Sequence, residues 1–162
     1  MKITRIKNFL IFTIIAVISI TFFSGCSKSK TPISPEEITA IAESHGYIQE
    51  SNKSYGKTTT HLSFAHPDKE YFLELFVYDD EDAAKKDYED MLGTLRNLAF
   101  LYTFDKNITP TTDISEEHYE KCEYKLPECY MFQARVQNTI VTVLAESALS
   151  SDVSKLLKDI NY

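Results

Sequence analysis

Tryptophan is absent from this 162-residue chain, and glycine (four), proline (five) and cysteine (three) are scarce. So few glycines leave no room for phosphate-cradling loops: there is no dinucleotide fingerprint. Gly56-Lys57-Thr58 has the ending of a P-loop, but Ser51 stands where the leading glycine must be. Gly-x-Ser-x-Gly and His-Glu-x-x-His are missing. Ser54-Tyr55-Gly56-Lys57 matches Ser-x-x-Lys in letters only, since its Ser-Asp-Asn and Lys-Thr-Gly companions are lacking. No cofactor is therefore expected. No metal site is expected either. The four histidines do not cluster, and His61 and His66, five apart on one strand, point to opposite faces. His118, beside Glu116 and Glu117, reads as the solvated start of a strand. Asp79-Asp80-Glu81-Asp82 lacks the spaced ligands and central glycine of a calcium loop and reads as a helix cap.

Basic residues are also in deficit, 17 Lys and Arg against 24 Asp and Glu. Three of the 17 lie in the first 25 residues, which hold no acid; without that segment the charge falls from −7 to −10. A body this acidic excludes nucleic acid as a partner, because phosphate binding needs a basic face.

What is present begins at the N-terminus. Lys2, Arg5 and Lys7 precede a 15-residue apolar run, residues 9–23, interrupted only by Thr13, Ser19 and Thr21. Charge followed by an apolar run is the layout of a secretory signal peptide. It ends Phe23-Ser24-Gly25-Cys26. Those four residues resemble the lipobox of bacterial lipoproteins, with Phe23 departing from the preferred leucine. The resemblance implies cleavage between Gly25 and Cys26 and a diacylglyceryl group on Cys26. Two signals or two chains anchor a protein stably where one does so marginally. The alternative is an uncleaved anchor, since the charge-free window 8–27 is about as long as a bilayer span requires. The expected organisation is residues 1–25 as signal peptide, 26–34 as lipidated cysteine and polar tether, and 35–162 as one domain. The expected location is the extracytoplasmic face of the cell membrane, reached through the lipid anchor.

Along the domain, Ser34-Pro35-Glu36-Glu37 is a helix start with a cap, a first-turn proline and a capping box. Residues 47–50 read as a brief strand, 51–57 as a polar loop and 58–66 as a strand. Residues 70–78 carry the clearest strand, with Tyr71, Leu73, Leu75 and Val77 on one face and Phe72, Glu74, Phe76 and Tyr78 on the other. Asp79 to Asp82 open a long helix whose apolar positions run from Ala84 to Tyr102. Residues 105–115 read as a loop, followed by strands at 117–126, 129–136 and 139–146. Gln137-Asn138 forms a two-residue turn, with asparagine suited to positive φ. A last helix is capped by Ser150 or Ser151 and buries Val153, Leu156, Leu157 and Ile160. The order α-(β)ββ-α-βββ-α suggests α+β architecture: an antiparallel sheet of five to six strands with helices on one face, a two-layer sandwich. A strand group followed by a helix occurs twice, the pattern of a weak internal duplication.

The segments Phe76-Val77-Tyr78-Asp79-Asp80-Glu81-Asp82-Ala83-Ala84-Lys85-Lys86-Asp87-Tyr88, Arg135-Val136-Gln137-Asn138-Thr139-Ile140-Val141 and Leu157-Lys158-Asp159-Ile160-Asn161-Tyr162 resemble small uncharacterised lipoproteins of Gram-positive bacteria. The resemblance implies a lipid-anchored envelope protein and transfers no catalytic residue.

Cys122 and Cys129 leave two readings. A tight turn at Pro127-Glu128 sets Cys122 opposite Gln133 and keeps the thiols apart; a six-residue loop, 123–128, brings them together as a disulfide. For function, the chain is expected to be a binding or interaction module rather than an enzyme, with an unidentified protein or small molecule as partner. Phe72, Phe76, Tyr78, Tyr130 and Phe132, on a sheet face away from the helices, are the candidate surface. One alternative is an envelope hydrolase in which a pocket gathers His118 or His45 with two carboxylates. The other is a carrier of a small apolar ligand, with a cavity between the long helix and the sheet.

Overall fold

A computed structural model describes residues 30–54 and 56–162. Gly25, Cys26 and the expected signal peptide, residues 1–25, lie outside the described residues. Helix α1, Pro35–Ser44, begins with the capping box read from the sequence. The Ser34 hydroxyl accepts the Glu37 amide at 3.2 Å, and the Glu37 carboxylate accepts the Ser34 amide at 3.0 Å. Gly46, at φ +86°, turns the chain out of this helix. Strands β1 (Ile48–Lys53), β2 (Thr58–His66) and β3 (Lys69–Tyr78) form an antiparallel meander. Helix α2, Glu81–Thr103, starts where the Asp80 carboxylate accepts the Ala83 amide at 2.7 Å. A second meander follows: β4 (Thr112–Ser115), β5 (Tyr119–Lys125), β6 (Cys129–Val136) and β7 (Thr139–Glu146). A short 3-10 turn, Ser147–Leu149, leads into α3, Ser150–Asp159.

The two meanders join through β3 and β7 into one antiparallel sheet of seven strands, in the order β1-β2-β3-β7-β6-β5-β4. The fold is mixed α+β, with more strands than the five to six expected. The addition is β4, a four-residue edge strand inside the Thr-, Pro- and Asp-rich stretch read as a loop. It is too short to show an alternation of its own.

The helices do not share a face, so the expected two-layer sandwich is corrected to three layers. Ile38 and Ala42 of α1 and Val153, Leu156 and Leu157 of α3 pack on Tyr71, Leu73, Leu75, Tyr130, Phe132, Val141 and Val143. Across the sheet, Leu95 and Ala99 of α2 pack on Cys122, Tyr124 and Met131, and Ala84 and Tyr88 pack against Tyr78 and Ile140. Every residue of β6 is buried, as a strand covered on both sides requires. Apart from the extra edge strand β4, the strand order is symmetric about the β3–β7 pair. A two-fold axis through that centre, normal to the sheet, would put α2 and α3 on one face, so the suggested duplication does not extend to the helices.

Two local expectations also change. Positive φ falls on Gln137 (51°), the first turn residue, and not on Asn138. Asn138 instead closes the turn against β3: its side-chain amide donates to the Tyr78 carbonyl at 2.8 Å, and its carbonyl accepts the Tyr78 amide at 2.9 Å. Neither Ser150 nor Ser151 caps α3, because the helix continues directly from the 3-10 turn. Among the described residues no helix is long and apolar enough to cross a membrane.

Candidate functional site

The strand register decides which aromatic side chains can act together. Tyr130 pairs with Ala145, and Ala145 with Tyr71, so Tyr130 and Phe132 belong to the face under α1 and α3. Both are buried, and the Tyr130 hydroxyl donates to the Glu123 carboxylate at 2.9 Å. Phe72, Phe76 and Tyr78 lie on the opposite face. Tyr78 is buried beside α2, Phe76 is half-buried, and Phe72 is exposed. The five aromatics therefore form no common surface. Phe72 alone remains open, at 51% exposure.

Phe72 stands where α2, packed over β5 and β6, leaves β3 and β7 uncovered. Between the helix and strands β3 and β7 runs a groove of about 310 Å³, lined by Met91, Thr94, Leu95 and Leu98 from the helix and by Glu74, Thr142 and Leu144 from the floor, with the Glu74 carboxylate 3.0 Å from His61. Its inner end is fixed by the buried Gln133, whose amide donates to the Tyr88 carbonyl at 3.0 Å. The Thr142 hydroxyl is shielded from water and has no hydrogen-bond partner. At Phe72 and Leu144 the groove opens into a wider depression of about 540 Å³, bordered by Glu70, Tyr102, Glu128 and Glu146. The alternation of β7 builds this floor: Thr142, Leu144 and Glu146 fall on one face in turn. Beyond it the last turn of α2 leaves Leu101, Tyr102 and Phe104 exposed. Pockets for small ligands run from about 300 to 1,000 Å³ and are lined mainly by apolar side chains. The groove fits that description.

A second polar assembly lies at the other end of α2. Arg135 is wholly buried on β6. Its Nε donates to Glu120, one terminal nitrogen to Glu81 at 2.8 Å and to the Gln137 carbonyl at 3.0 Å, and the other to the Glu117 carbonyl at 2.9 Å. Burial pulls the guanidinium pKa down, but the Glu120 and Glu81 carboxylates outweigh it and hold the charge. The His118 Nδ1 lies 2.9 Å from Glu81, which raises the imidazole pKa, while His118 and then Arg135 hold the Glu81 carboxyl below its ordinary value. This assembly ties the start of α2 to two turns of the sheet. It acts as a brace. His118 is 61% exposed, and His45 pairs at 2.8 Å with Asp159 on α3. No histidine lines either part of the groove. Among the described residues no three side chains converge as metal ligands.

Cys122 and Cys129 are free and buried. The Leu126 amide donates to the Cys129 carbonyl at 2.9 Å, which makes Pro127-Glu128 the tight turn. Cys122 then pairs with Gln133, four residues along β6 from Cys129. At about 3.3 Å per residue the two lie roughly 13 Å apart, far beyond disulfide reach. The disulfide reading is corrected to two reduced thiols.

Sequence reasoning named Phe72 but missed Thr142, Leu144 and the glutamates around Tyr102. One signal was available: Leu101 and Phe104 extend the apolar content of α2 past the stripe that meets the sheet. No protein-family model matches the chain, and no curated protein matches it. Among solved structures, the crystal structure of a GTP binding regulator from Thermotoga maritima is similar over 79% of this chain and 84% of that one, with 16% identity and a TM-score of 0.45. So distant a likeness carries no argument about what this chain does.

Proposed function

We propose that the chain is a lipid-anchored binding module at the extracytoplasmic face of the membrane, and that the groove between α2 and the sheet is its binding site. The observation that carries this reading is the groove itself, about 310 Å³ with an apolar lining and an exposed Phe72 at its edge. An envelope hydrolase has less support, because His45 and His118 lie away from the groove and only His61 approaches it, lying 3.0 Å from the Glu74 carboxylate. The anchor rests on Phe23-Ser24-Gly25-Cys26. Lys30, four residues after Cys26, donates to the Asn161 carbonyl at 2.9 Å and lies over the Tyr119 ring, at the Glu81 end of α2. Four residues reach at most about 14 Å. The Lys30 end then faces the membrane, and the wide mouth of the groove, seven residues away along β6 or about 23 Å, faces outward.

Two variants test the two halves separately. Cys26→Ala should move the protein from the membrane fraction to the soluble one; retention on the membrane would overturn the anchor. Thr94 is exposed on α2 at the groove wall, so Thr94→Trp should fill the groove at a folding cost within about 0.5 kcal/mol. Membrane pull-downs with lipidated protein should lose their specific partner with Thr94→Trp. A partner retained at full yield would remove the groove from the reading.

A further inference from the structure

We infer that the groove takes a cationic amphiphile, with its apolar body along α2 and its positive head at the wide mouth among Glu70, Glu128 and Glu146. This deepens the binding reading above and depends on it. The apolar half of the argument is the groove wall: Met91, Leu95 and Leu98 face Leu144 over a floor that ends in acid. The charged half is the mouth. Glu70 and Glu146 continue the same faces of β3 and β7 as Phe72 and Leu144, and Glu128 joins them from the β5–β6 turn. None of the three carboxylates meets a lysine or arginine among the described residues. The nearby Lys69 is turned to the other face, where it pairs with Asp152 at 2.8 Å. Like charges gathered across neighbouring strands repel, and a cation at the mouth converts that repulsion into attraction.

Phe72 and Tyr102 border the same depression and offer ring faces to an ammonium or guanidinium group. An anionic amphiphile would meet three carboxylates and no cation; an uncharged one would leave them uncompensated. The outward-facing mouth suits a ligand arriving from outside the cell rather than from the bilayer below.

The test titrates the complete mature chain, carrying Cys26→Ala so that no lipid competes, by calorimetry below micelle-forming concentrations. The probes are dodecyltrimethylammonium, dodecyl maltoside and dodecyl sulfate. The ammonium probe should bind about tenfold or more tighter than the maltoside, and the sulfate weakest. The triple variant Glu70→Gln/Glu128→Gln/Glu146→Gln should bring the ammonium affinity down to that of the maltoside. Glu36→Gln/Glu43→Gln/Glu50→Gln, which changes net charge equally at exposed sites away from the groove, should leave it unchanged. Equal binding of ammonium and maltoside, or equal loss in both triple variants, overturns the cationic assignment while the groove stands. So does binding of a basic amphipathic peptide but not of the ammonium probe, or a dimer that Thr94→Trp disperses. Failure of all three probes to bind more tightly than they bind Thr94→Trp removes the groove itself.

Discussion

Arg135 holds its donors against two carboxylates and two carbonyls with no exposure to water, and the two carboxylates depend on it in turn. Removing one member of such a set leaves charge buried without a partner, at a cost of roughly 3–5 kcal/mol. Glu81 is partly solvated, so Arg135→Met should lie near the lower end, about 3 kcal/mol in urea unfolding. Arg135→Met/Glu120→Leu should recover much of that loss; no recovery would mean that Arg135 acts through packing alone. The same assembly sets a pH dependence. His118 is held above its ordinary 6.5, so its pairing with Glu81 contributes fully below that pH and is lost as pH rises through the raised value. Glu81 is held below its ordinary 4.5, so its contribution is present above that value and lost as pH falls through the lowered one. The urea midpoint should therefore be highest between the two and decline on both sides. His118→Gln should flatten the neutral-to-alkaline decline, and an unchanged slope would assign it to other groups. Burial, with Asp113 nearby, pushes the Cys122 thiol up to about 11, and burial raises Cys129 as well. Neither should react with a thiol reagent at about pH 8 in the folded chain, and both should react after unfolding without reductant. A chain that yields neither thiol on unfolding would contain the disulfide that the register forbids.

At the scale of elements, α1 is the one whose formation is most local. Its capping box satisfies two terminal amides, and Ser34→Ala should cost about 1 kcal/mol, seen as a lower urea midpoint at unchanged slope. The box, the Asp80 cap of α2 and strands β2, β6 and β7 were legible because caps and alternation act within a few residues. Residues 70–78 also read correctly as a strand. What that strand would bury did not. Phe72 and Phe132 were grouped because each is an aromatic on an alternating strand. The two-residue turn after Val136 fixes Phe132 opposite Val143, a local fact. Leu73 opposite Val143 is fixed by pairing between β3 and β7, some 70 residues apart, and no local signal records it. A slip of one residue there would exchange the two faces of β3. Cys122 and Cys129 pose the same problem in miniature, and the Leu126–Cys129 hydrogen bond resolves it.

For the whole molecule, two covered faces and two open edges imply graded stability. Strand β6 is buried throughout, whereas β1 and β4 lie at the sheet edges with most of their residues exposed or half-buried. Hydrogen exchange should release the amides of β1 and β4 first and those of β6 and β7 last, near the global unfolding free energy. Protection of β4 equal to that of β6 would require a cover on that edge that the fold does not show. The two ends of α2 also differ in kind: Arg135 braces its start, and its last turns pack over β5 and β6 and leave the β3–β7 side open as the groove. Binding in that groove should therefore protect the C-terminal half of α2 and leave the braced end unchanged.

By itself the sequence determined the acidic character of the domain, its α+β class, the starts of α1 and α2 and most of its strand boundaries. All of these depend on composition, on periods of two and 3.6 residues, and on side chains within a turn of their partners. Only the tertiary structure decided that helices cover both faces, that Tyr130 and Phe132 are core, that the thiols stay apart and that a groove opens between α2 and β7. Each of those depends on which side of the sheet a helix crosses or on the register between distant strands. An amphipathic stripe requires a partner surface without specifying which one, and the choice is made by the packing of the whole chain.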